Sequence, residues 1–303
     1  MKKKPTLVVA LGGNALLKRG EPLEADIQQA NIKLAAKVIA QLTKQWKVVL
    51  VHGNGPQIGL LALQNSVYEP VKPYPLDILG AESQGMIGYM LQQALMNELP
   101  KKKITVLLTQ VEVDPNDPAM DNPQKFIGPV YDKQQGELLS SQKGWSVKAD
   151  GQYFRRVVPS PEPKFILEED AINTLIESDH LVICNGGGGV PVLKGADGYH
   201  GIEAVIDKDL AAALLACQIN ADALLILTDA DAIYRNWGKT NQQAISQISP
   251  LELSKISFDA GSMGPKVDGC CRFVTRCHGV AGIGSLENGL EILDGTKGTL
   301  IIE

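Results

Sequence analysis

The chain has 303 residues, 44% of them hydrophobic and 5% aromatic, and it carries a formal net charge of −5. This acidic balance excludes a general nucleic-acid-binding surface, which would show a basic stripe interleaved with aromatic residues. No apolar run reaches the roughly 18 residues that a membrane span requires, and two glycines interrupt the apolar stretch that follows the lysine-rich start. We therefore expect a cytoplasmic protein that acts on neither nucleic acid nor membranes.

The first third of the chain alternates short apolar strands with amphipathic helices. The predicted strands are 6–11, 47–52 and 104–113, and the predicted helices are 24–45, 56–65 and 80–98. In the first helix, apolar residues recur every three or four positions, as on a helix that packs on a sheet. Since the strands are apolar throughout, the alternation indicates a parallel sheet that is covered on both faces.

The pattern is interrupted between residues 114 and 164, a segment rich in Pro, Gly, Asn, Asp and Gln. We interpret it as a subdomain or lid inserted into a single domain of residues 1–303, because long loops inside a compact fold are usually functional or disordered. Disorder is the alternative. Against it stand two β-rich runs, KFIGPVY (125–131) and YFRRVV (153–158), which predict short paired strands.

Alternation resumes after the insertion and continues to the end of the chain. The predicted helices are 168–178, 207–219, 250–256 and 265–276, and the predicted strands are 180–184, 223–228, 279–283 and 298–302. The whole pattern indicates an α/β fold, a three-layer αβα sandwich with a mainly parallel central sheet and a small protruding subdomain.

Three strands end on glycine clusters: VVALGGNAL (8–16), VVLVHGNGPQIG (48–59) and LVICNGGGGVPV (181–192). A strand that runs through glycines into a helix leaves unpaired N–H groups at the positive end of the helix dipole, where anions bind. The common nucleotide motifs are absent, because no GxxxxGK[ST] sequence occurs and GNGPQIG (53–59) lacks the G-x-G-x-x-G spacing. The sequence therefore predicts phosphate binding without a P-loop or a Rossmann fingerprint.

Two lysines lie where helices are predicted to begin. Asp207 is a suitable N-cap, which leaves Lys208 and Asp209 in an exposed first turn, and Pro265 suits the start of the helix that carries Lys266. A cation at the amino-terminal end of a helix is disfavoured by about 0.3–1 kcal/mol. Two such lysines beside glycine-rich turns therefore indicate an anion between them, with solvated surface lysines as the alternative.

The cysteines and histidines indicate no metal chemistry. The five cysteines form no CxxC pair, and their odd number favours reduced thiols over a disulfide framework. Among the four histidines, His52 alone lies in a candidate site. A strand-end residue whose ring bonds to backbone is as reasonable an interpretation of it as a catalytic one.

Nine sequence blocks resemble, in order and spacing, the motif series of the carbamate kinases within the amino-acid kinase superfamily. They are LGGNAL (11–16), HGNGPQIG (52–59), ESQGMIGY (82–89), KFIGPVY (125–131), RRVVPSP (155–161), GGGGVPV (186–192), AVIDKDLAA (204–212), GSMGPK (261–266) and SLEN (285–288). The resemblance implies a homodimeric amino-acid kinase fold that catalyses ATP + carbamate ⇌ ADP + carbamoyl phosphate. It also implies that the reaction usually runs toward ATP, in arginine and other nitrogen catabolism.

The resemblance further implies roles for individual positions. Residues of two glycine turns would surround the transferred phosphoryl group and carbamate, the second turn through its backbone N–H groups: Gly12, Gly13 and Asn14, then Gly53, Asn54 and Gly55. Lys208 and Lys266 would bind the phosphates, Asp209 would hold these lysines, and Lys125 would reach over the site from the lid. The adenine and ribose would be bordered by Thr228, Asp229, Ala230, Tyr234, Met263, Gly264 and Pro265. Mg²⁺ would accompany ATP, held by phosphate oxygens and water.

Two other functions stay open at the level of sequence. A related kinase that acts on a larger acid, a nucleoside monophosphate or a phosphonate would need side chains that recognise the body of its substrate, whereas the loops offer mainly Gly and Asn. A non-catalytic nucleotide sensor is disfavoured because all the lysines of the pattern are present. For Arg155 and Arg156 we expect ion pairs that hold the insertion rather than ligand contacts, and Glu82 is equally suited to capping the start of a helix.

Overall fold

An eight-stranded sheet forms the centre of the computed structural model, which describes residues 4–18, 20–259 and 261–303 and, of Asn14, only the backbone. In chain order the strands of the molecule are β1 (Thr6–Leu11), β2 (Lys47–His52), β3 (Lys103–Val106), β4 (Gln110–Val113), β5 (Lys125–Tyr131), β6 (Val147–Asp150), β7 (Tyr153–Val158), β8 (Pro163–Ile166), β9 (His180–Ile183), β10 (Val190–Gly195), β11 (Gly198–Gly201), β12 (Ala223–Thr228), β13 (Ile233–Arg235), β14 (Gln243–Ile245), β15 (Gln247–Ile248), β16 (Val280–Ser285) and β17 (Thr299–Ile301). The helices are α1 (Ala25–Leu42), α2 (Gly55–Val67), α3 (Leu76–Glu98), α4 (Lys133–Lys143), α5 (Glu169–Glu177), α6 (Lys208–Gln218), α7 (Pro250–Leu253), α8 (Met263–Cys277) and α9 (Gly289–Leu293).

The central sheet has the strand order β15-β17-β16-β12-β1-β2-β9-β3. Its neighbouring strands run parallel, except that β16 and β17 are antiparallel. The first strands of the chain lie in the middle of the sheet and are buried on both faces, which is why they contain apolar residues throughout. The predicted α/β fold with a mainly parallel central sheet is confirmed.

Two apolar cores lie on opposite faces of this sheet. Alternate residues of β1 enter different cores: Val8 and Ala10 pack with α5, α6 and α8, whereas Leu7, Val9 and Leu11 pack with α1, α3 and α9. This alternation follows from the two-residue period of a strand. The helices therefore form two outer layers, and the glycine turns lie at the strand ends between these layers.

The predicted strand 104–113 is wrong, because the structure divides it between two sheets. β3 ends at Val106, and β4 begins at Gln110 in a four-stranded sheet of order β11-β10-β4-β8. Between these two strands, the side chain of Gln84 bonds to the backbone of Thr109. Its Oε1 accepts from the Thr109 N–H (3.0 Å), and its Nε2 donates to the Thr109 carbonyl (3.1 Å). The Thr109 carbonyl also accepts from the Val190 N–H (2.9 Å), so a buried amide and the first bond to β10 together satisfy the backbone where the chain passes between the two sheets.

The segment between β4 and β8 folds into a three-stranded antiparallel sheet, β5-β7-β6, with α4 beside it. The two strands predicted within it are confirmed. Gly59 of α2 and Gly128 of β5 meet so closely that a methyl group on Gly59 would lie 1.9 Å from the Gly128 Cα and collide with it. The two predicted arginine ion pairs are also present, from Arg155 to Asp150 and from Arg156 to a residue outside the segment, Glu203.

The expectation that the cysteines stay reduced is wrong for two of them. A disulfide joins Cys217 and Cys277, whose Cα atoms lie 5.7 Å apart, whereas Cys184, Cys270 and Cys271 are free thiols. The bonded pair lies at the carboxyl-terminal ends of α6 and α8, two helices that pack side by side. The sequence contains no sign of this pairing, because the cysteines are 60 residues apart and the helix packing brings them together.

The helix predicted at 80–98 begins earlier, at Leu76. Its amino-terminal end follows Pro75, and the Leu76 N–H donates to Glu203 Oε2 (2.7 Å). Glu82 therefore lies in the second turn rather than at a helix start, and the capping interpretation of that residue is wrong. Among the residues that the structure describes, no helix combines the length and the apolar character that crossing a membrane demands.

Candidate functional site

Three glycine turns and two helix starts meet at the carboxyl-terminal edge of the central sheet. β1 runs into Gly12 and Gly13, and β2 runs into Gly53. A methyl group added to Gly53 would lie 3.6 Å from the Gly13 nitrogen and 3.6 Å from Cδ and Cε of Lys208. The predicted convergence of both turns with Lys208 is therefore present, as expected where neighbouring parallel strands end together.

The backbone N–H groups of Gly12 and Gly53 already have partners within the fold, although that of Gly53 was predicted to bind the anion. The Gly12 N–H donates to the Leu227 carbonyl (2.8 Å), and the Gly53 N–H donates to the Leu11 carbonyl (3.1 Å). The expectation that the Gly53 amide contacts a ligand is therefore wrong. At both positions the absence of a side chain leaves space for neighbouring groups. A methyl group on Gly12 would lie 2.8 Å from the Leu227 oxygen, and one on Gly53 would fill the space beside Lys208.

The turn after Gly53 leads directly into α2, which begins at Gly55 with Asn54 at its N-cap position. The first-turn N–H groups of a helix have no intrahelical acceptor, so those of Gly55 and Gln57 remain available to an anion, whereas Pro56 between them has no N–H. Asn54 is buried, and its Nδ2 donates to Ser83 Oγ (2.8 Å) on α3. It therefore holds the turn in place through its side chain.

His52 lies behind this turn, between the glycine clusters that contain Gly53 and Gly186. Its ring is buried beside Gly186, where any side chain would collide with it, and its Nδ1 lies 3.0 Å from the Gly53 carbonyl oxygen. Burial lowers the pKa of His52 to about 4, the Gly53 carbonyl opposes the shift, and the Lys208 charge adds to it. A neutral His52 that donates to backbone agrees with the structural interpretation of this residue rather than the catalytic one.

The structure corrects the expected exposure of Lys208 and Asp209. Asp207 caps α6 as predicted, its Oδ1 accepting from the N–H groups of Asp209 (2.8 Å) and Leu210 (3.3 Å). The Lys208 side chain is nevertheless only 11% exposed and that of Asp209 only 3%. The glycine turns and α8 cover this end of the helix, which the periodicity of α6 by itself does not reveal.

Asp209 holds two lysine ammonium groups at once. Its Oδ1 pairs with Lys208 Nζ, and its Oδ2 pairs with Lys266 Nζ at 3.0 Å. Burial by itself would raise the pKa of Asp209, but the two ammonium groups outweigh it and lower the pKa well below its usual range. The lysines respond in opposite directions: burial lowers the pKa of Lys208, whereas for the less buried Lys266 the attraction of Asp209 outweighs burial and raises the pKa. The prediction that Asp209 holds both lysines agrees with this geometry.

A third lysine reaches the cluster from the inserted segment. Lys125, the first residue of β5, forms an ion pair with Oδ2 of Asp207. Three ammonium groups thus face two carboxylates within ion-pair distance in a largely buried site, and Asp229 adds a weaker attraction on Lys266 from the adjoining cavity. Burying net charge is costly unless a partner neutralises it, so the cluster is suited to an anionic ligand.

A cavity of about 1000 Å³ opens beside Lys266. Five of the seven predicted nucleotide-binding residues line it: Thr228, Asp229, Ala230, Tyr234 and Met263. The remaining two, Gly264 and Pro265, are in α8 but do not line it. The residues that sequence reasoning missed come mainly from the segment before α8, namely Lys255, Ile256, Ser257, Phe258, Asp259 and Ser262. Lys255 and Ile256 were assigned to the predicted helix 250–256, which in the structure ends at Leu253, and the residues from Ser257 to Ser262 lie between the predicted helices.

The donor set decides how a magnesium ion fits here. Among the described residues, no three His, Cys, Asp or Glu side chains converge as ligands for a metal ion. The carboxylates of Asp207 and Asp209 are already engaged by lysines. The site therefore suits a magnesium ion that arrives with the nucleotide, coordinated by phosphate oxygens and water, rather than a resident metal.

Comparison with known proteins connects this geometry to a family. The model of the amino acid kinase family matches residues 5–281. The chain is 55% identical to the carbamate kinase of Escherichia coli strain CFT073 over 296 residues, which cover 98% of this chain and 99% of the relative.

Solved structures give the same result. The chain superimposes on the Giardia lamblia carbamate kinase bound to citric acid with a TM-score of 0.94 at 40% identity, covering 100% of this chain and 99% of the other. The complex of the Giardia enzyme with AMP-PNP gives a TM-score of 0.90, also at 40% identity and with the same coverage. These full-length similarities set aside the two alternative functions. The chain therefore belongs to the amino acid kinase family and, within it, to the carbamate kinases, whose reaction it catalyses.

Proposed function

We propose that phosphoryl transfer between ATP and carbamate takes place where the glycine turns, the lysine cluster and the 1000 Å³ cavity meet. The observation that carries this proposal is the buried pair of ammonium groups on Asp209, which lies between bare backbone turns and a cavity large enough for a nucleotide. Phosphoryl transfer requires positioning and charge neutralisation above all, and this cluster offers both.

The nucleotide would occupy the cavity beside Lys266. Thr228 ends β12, and Asp229 and Ala230 follow it in the lining of the cavity. Tyr234 packs on Trp237 with 5.1 Å between ring centroids. The base and ribose would lie among these residues and Met263, with the phosphates directed toward Lys266 and Lys208. In support, the Giardia relative binds AMP-PNP.

Carbamate would lie at the glycine turns, near Gly13, the backbone of Asn14 and the first turn of α2. It is already an oxyanion, so one of its oxygens attacks the γ-phosphorus while the bond from that phosphorus to the bridging oxygen of ADP breaks, and no general base is needed. Lys208 and Lys266 would neutralise the charge that spreads over the transferring group, while Asp209 keeps both ammonium groups aligned. The Asn14 side chain, which the sequence motifs also predict at this site, lies outside the described part of the structure.

Magnesium would enter as the ATP complex and therefore as part of the substrate. It would neutralise part of the charge on the phosphate oxygens, and the lysines of the protein would neutralise the rest. Residues 114–164 would act as a lid that carries Lys125 over the acceptor. We assign the physiological direction to ATP formation, because carbamoyl phosphate is a mixed anhydride, and the location to the cytoplasm, where ATP is available.

The test of this assignment is ATP formation from ADP and carbamoyl phosphate. Replacement of Lys266 by Ala should lower kcat by about 10²- to 10³-fold, since that is the effect of removing one well-placed donor to a transition-state charge. Lys297→Ala, a change at an exposed lysine that follows α9, is the control and should retain full activity. A Lys266→Ala enzyme as active as the control would exclude the proposed site.

We further propose that the chain acts as a homodimer that pairs through α3. One side of this helix exposes a stripe of large apolar residues, Ile78, Met86, Tyr89 and Met96, of which Tyr89 is 58% exposed. The helix lies beside β3, the edge strand of the central sheet. Large apolar patches of this kind mark interaction surfaces, and a second copy of the chain would bury both the stripe and the open edge.

Light scattering tests the dimer directly. The double variant Tyr89→Glu with Met96→Glu should have the mass of a monomer, because two carboxylates cannot be buried against the same helix of a partner. Leu34→Glu, a change at an apolar residue of α1 that is 51% exposed, is the matched control and should leave the mass unchanged. A monomeric unmodified protein at micromolar concentration would rule out the assignment.

A further inference from the structure

Asp207 uses its two carboxylate oxygens for two different purposes. Oδ1 caps α6 by accepting from the Asp209 N–H (2.8 Å) and the Leu210 N–H (3.3 Å). Oδ2 forms the ion pair with Lys125, which belongs to the inserted sheet 82 residues earlier in the chain. The same carboxylate therefore touches the helix that carries the catalytic pair and the lysine that comes from outside the body of the fold.

The three lysines of the cluster divide between two carboxylates. Asp209 holds Lys208 and Lys266, which both belong to helices of the central body. Asp207 is the carboxylate within ion-pair distance of Lys125 in the described part of the chain. The Lys125 side chain is 35% exposed, three times the exposure of that of Lys208, so less packing restricts it and its position depends more on its partner.

We propose that Asp207 is the positioning residue for Lys125. It fixes the ammonium group of the inserted sheet at the start of α6, one residue from Lys208, without contacting the substrates. The proposal rests on the role of Lys125 in the proposed function. Without the Asp207 carboxylate, Lys125 loses its fixed place at the site.

The variant that isolates this effect is Asp207→Asn. Asparagine and aspartate cap helices about equally well, so the helix cap is retained while the anionic partner of Lys125 is removed. We expect kcat/KM for carbamoyl phosphate to fall by roughly 10- to 100-fold, the effect of losing one hydrogen bond to a charged group. The KM for ADP should change little, because the cavity for the base and ribose is not altered.

Asp132→Asn is the matched control. Asp132 also caps a helix, α4, with its Oδ1 accepting from the Gln135 N–H at 2.8 Å, and none of the ion pairs found in the described chain involves it. The change thus removes one charge from an N-cap aspartate without affecting a lysine. Asp132 lies in the same inserted segment as Lys125, so Asp132→Asn measures what losing an N-cap charge there costs without a lysine partner, and it should lower kcat/KM far less than Asp207→Asn.

A double-mutant cycle with Lys125→Met decides between positioning and a purely structural role. If Asp207 acts through Lys125, Asp207→Asn should have no further effect on kcat/KM in the Lys125→Met enzyme. Equal losses in both backgrounds, or no loss from Asp207→Asn in an enzyme that Lys125→Met impairs, would overturn the proposal while leaving the proposed function intact. Full activity of Lys125→Met would overturn the role of Lys125 and this proposal with it, whereas the proposed function is tested separately by Lys266→Ala. Thermal midpoints of all variants within a few degrees of one another confirm that folding is not what is being measured.

Discussion

The two ends of the helix pair α6 and α8 are held together by different chemistry. At the amino-terminal ends a buried carboxylate, Asp209, pairs with Lys208 and Lys266, whereas at the carboxyl-terminal ends a disulfide joins Cys217 to Cys277. A charge cluster is able to rearrange around a ligand, but a covalent bond is not. The amino-terminal ends are therefore held by ion pairs that phosphate binding is able to change, whereas the disulfide at the carboxyl-terminal ends fixes how the two helices pack.

The largest effect is expected at the charged end. Asp209→Asn leaves two buried ammonium groups without their carboxylate, so the free energy of unfolding should fall by about 3–5 kcal/mol and activity should be lost. Urea denaturation and the ATP-formation assay measure the two losses. Asp121→Asn, at an exposed turn, is the control and should change neither quantity. An Asp209→Asn protein as stable as this control would mean that the charge cluster does not hold the helices.

The disulfide end should contribute a similar free energy but no catalysis. Closing a loop of 60 residues stabilises the folded state by up to about 4 kcal/mol through the entropy of the unfolded chain. A thiol reductant should therefore lower the thermal midpoint without lowering kcat, because α6 is about 16 Å long and its lysine lies at the other end.

Cysteine variants assign this effect to the bond. Cys217→Ala should make the midpoint insensitive to reductant, and Cys271→Ala, which removes a free half-buried thiol, should leave the sensitivity unchanged. If the reductant lowers the midpoint of the Cys217→Ala protein as much as that of the unmodified protein, the bond is not the cause.

Acidification tests the charged end in another way. His52 has a pKa of about 4 in the folded protein against a usual 6.5, so between these values the unfolded state binds more protons and the folded state loses stability as the pH falls. From pH 7 to pH 5 this loss should be about 2 kcal/mol in the free energy of unfolding, and His52→Gln should not show it. His200→Gln, a change at an exposed histidine, should retain the loss. Parallel pH profiles of the unmodified protein and His52→Gln would contradict the assignment.

The smallest effect is expected where the two helices cross. A methyl group on Gly269 of α8 would lie 2.8 Å from the Asp209 carbonyl oxygen of α6 and force the helices apart. Gly269→Ala should lower the free energy of unfolding by about 1 kcal/mol net, since overpacking outweighs the better helix propensity of alanine. Gly80→Ala in α3, where the added methyl group would lie 3.9 Å from Ile58 Cδ1 in ordinary van der Waals contact, should instead raise it. A stabilising Gly269→Ala would show that the crossing has room to spare.

The sequence predicted the elements whose signals are local. β1, β2 and β12 have the predicted bounds because each contains a run of at least four apolar residues that stops at Gly12, His52 or Thr228. Lys208 and Lys266 were recognised because a lysine at a helix start is electrostatically unfavourable by itself. Other features depend on distant partners. Gln84 bonds to the backbone of Thr109, 25 residues away and beyond the end of β3, and the expected exposure of Lys208 was wrong because other elements cover it.

By itself, the sequence determined the α/β class, the glycine turns and the residue types of the phosphate site, since periodicity, propensity and capping act within a few positions of the chain. The tertiary structure alone decided that Asp209 is buried between two lysines, that Lys125 pairs with Asp207, and that Cys217 pairs with Cys277. These contacts join residues as many as 82 positions apart. Their strength comes from burial and from the exclusion of water, which depend on packing and leave no periodic trace in the chain.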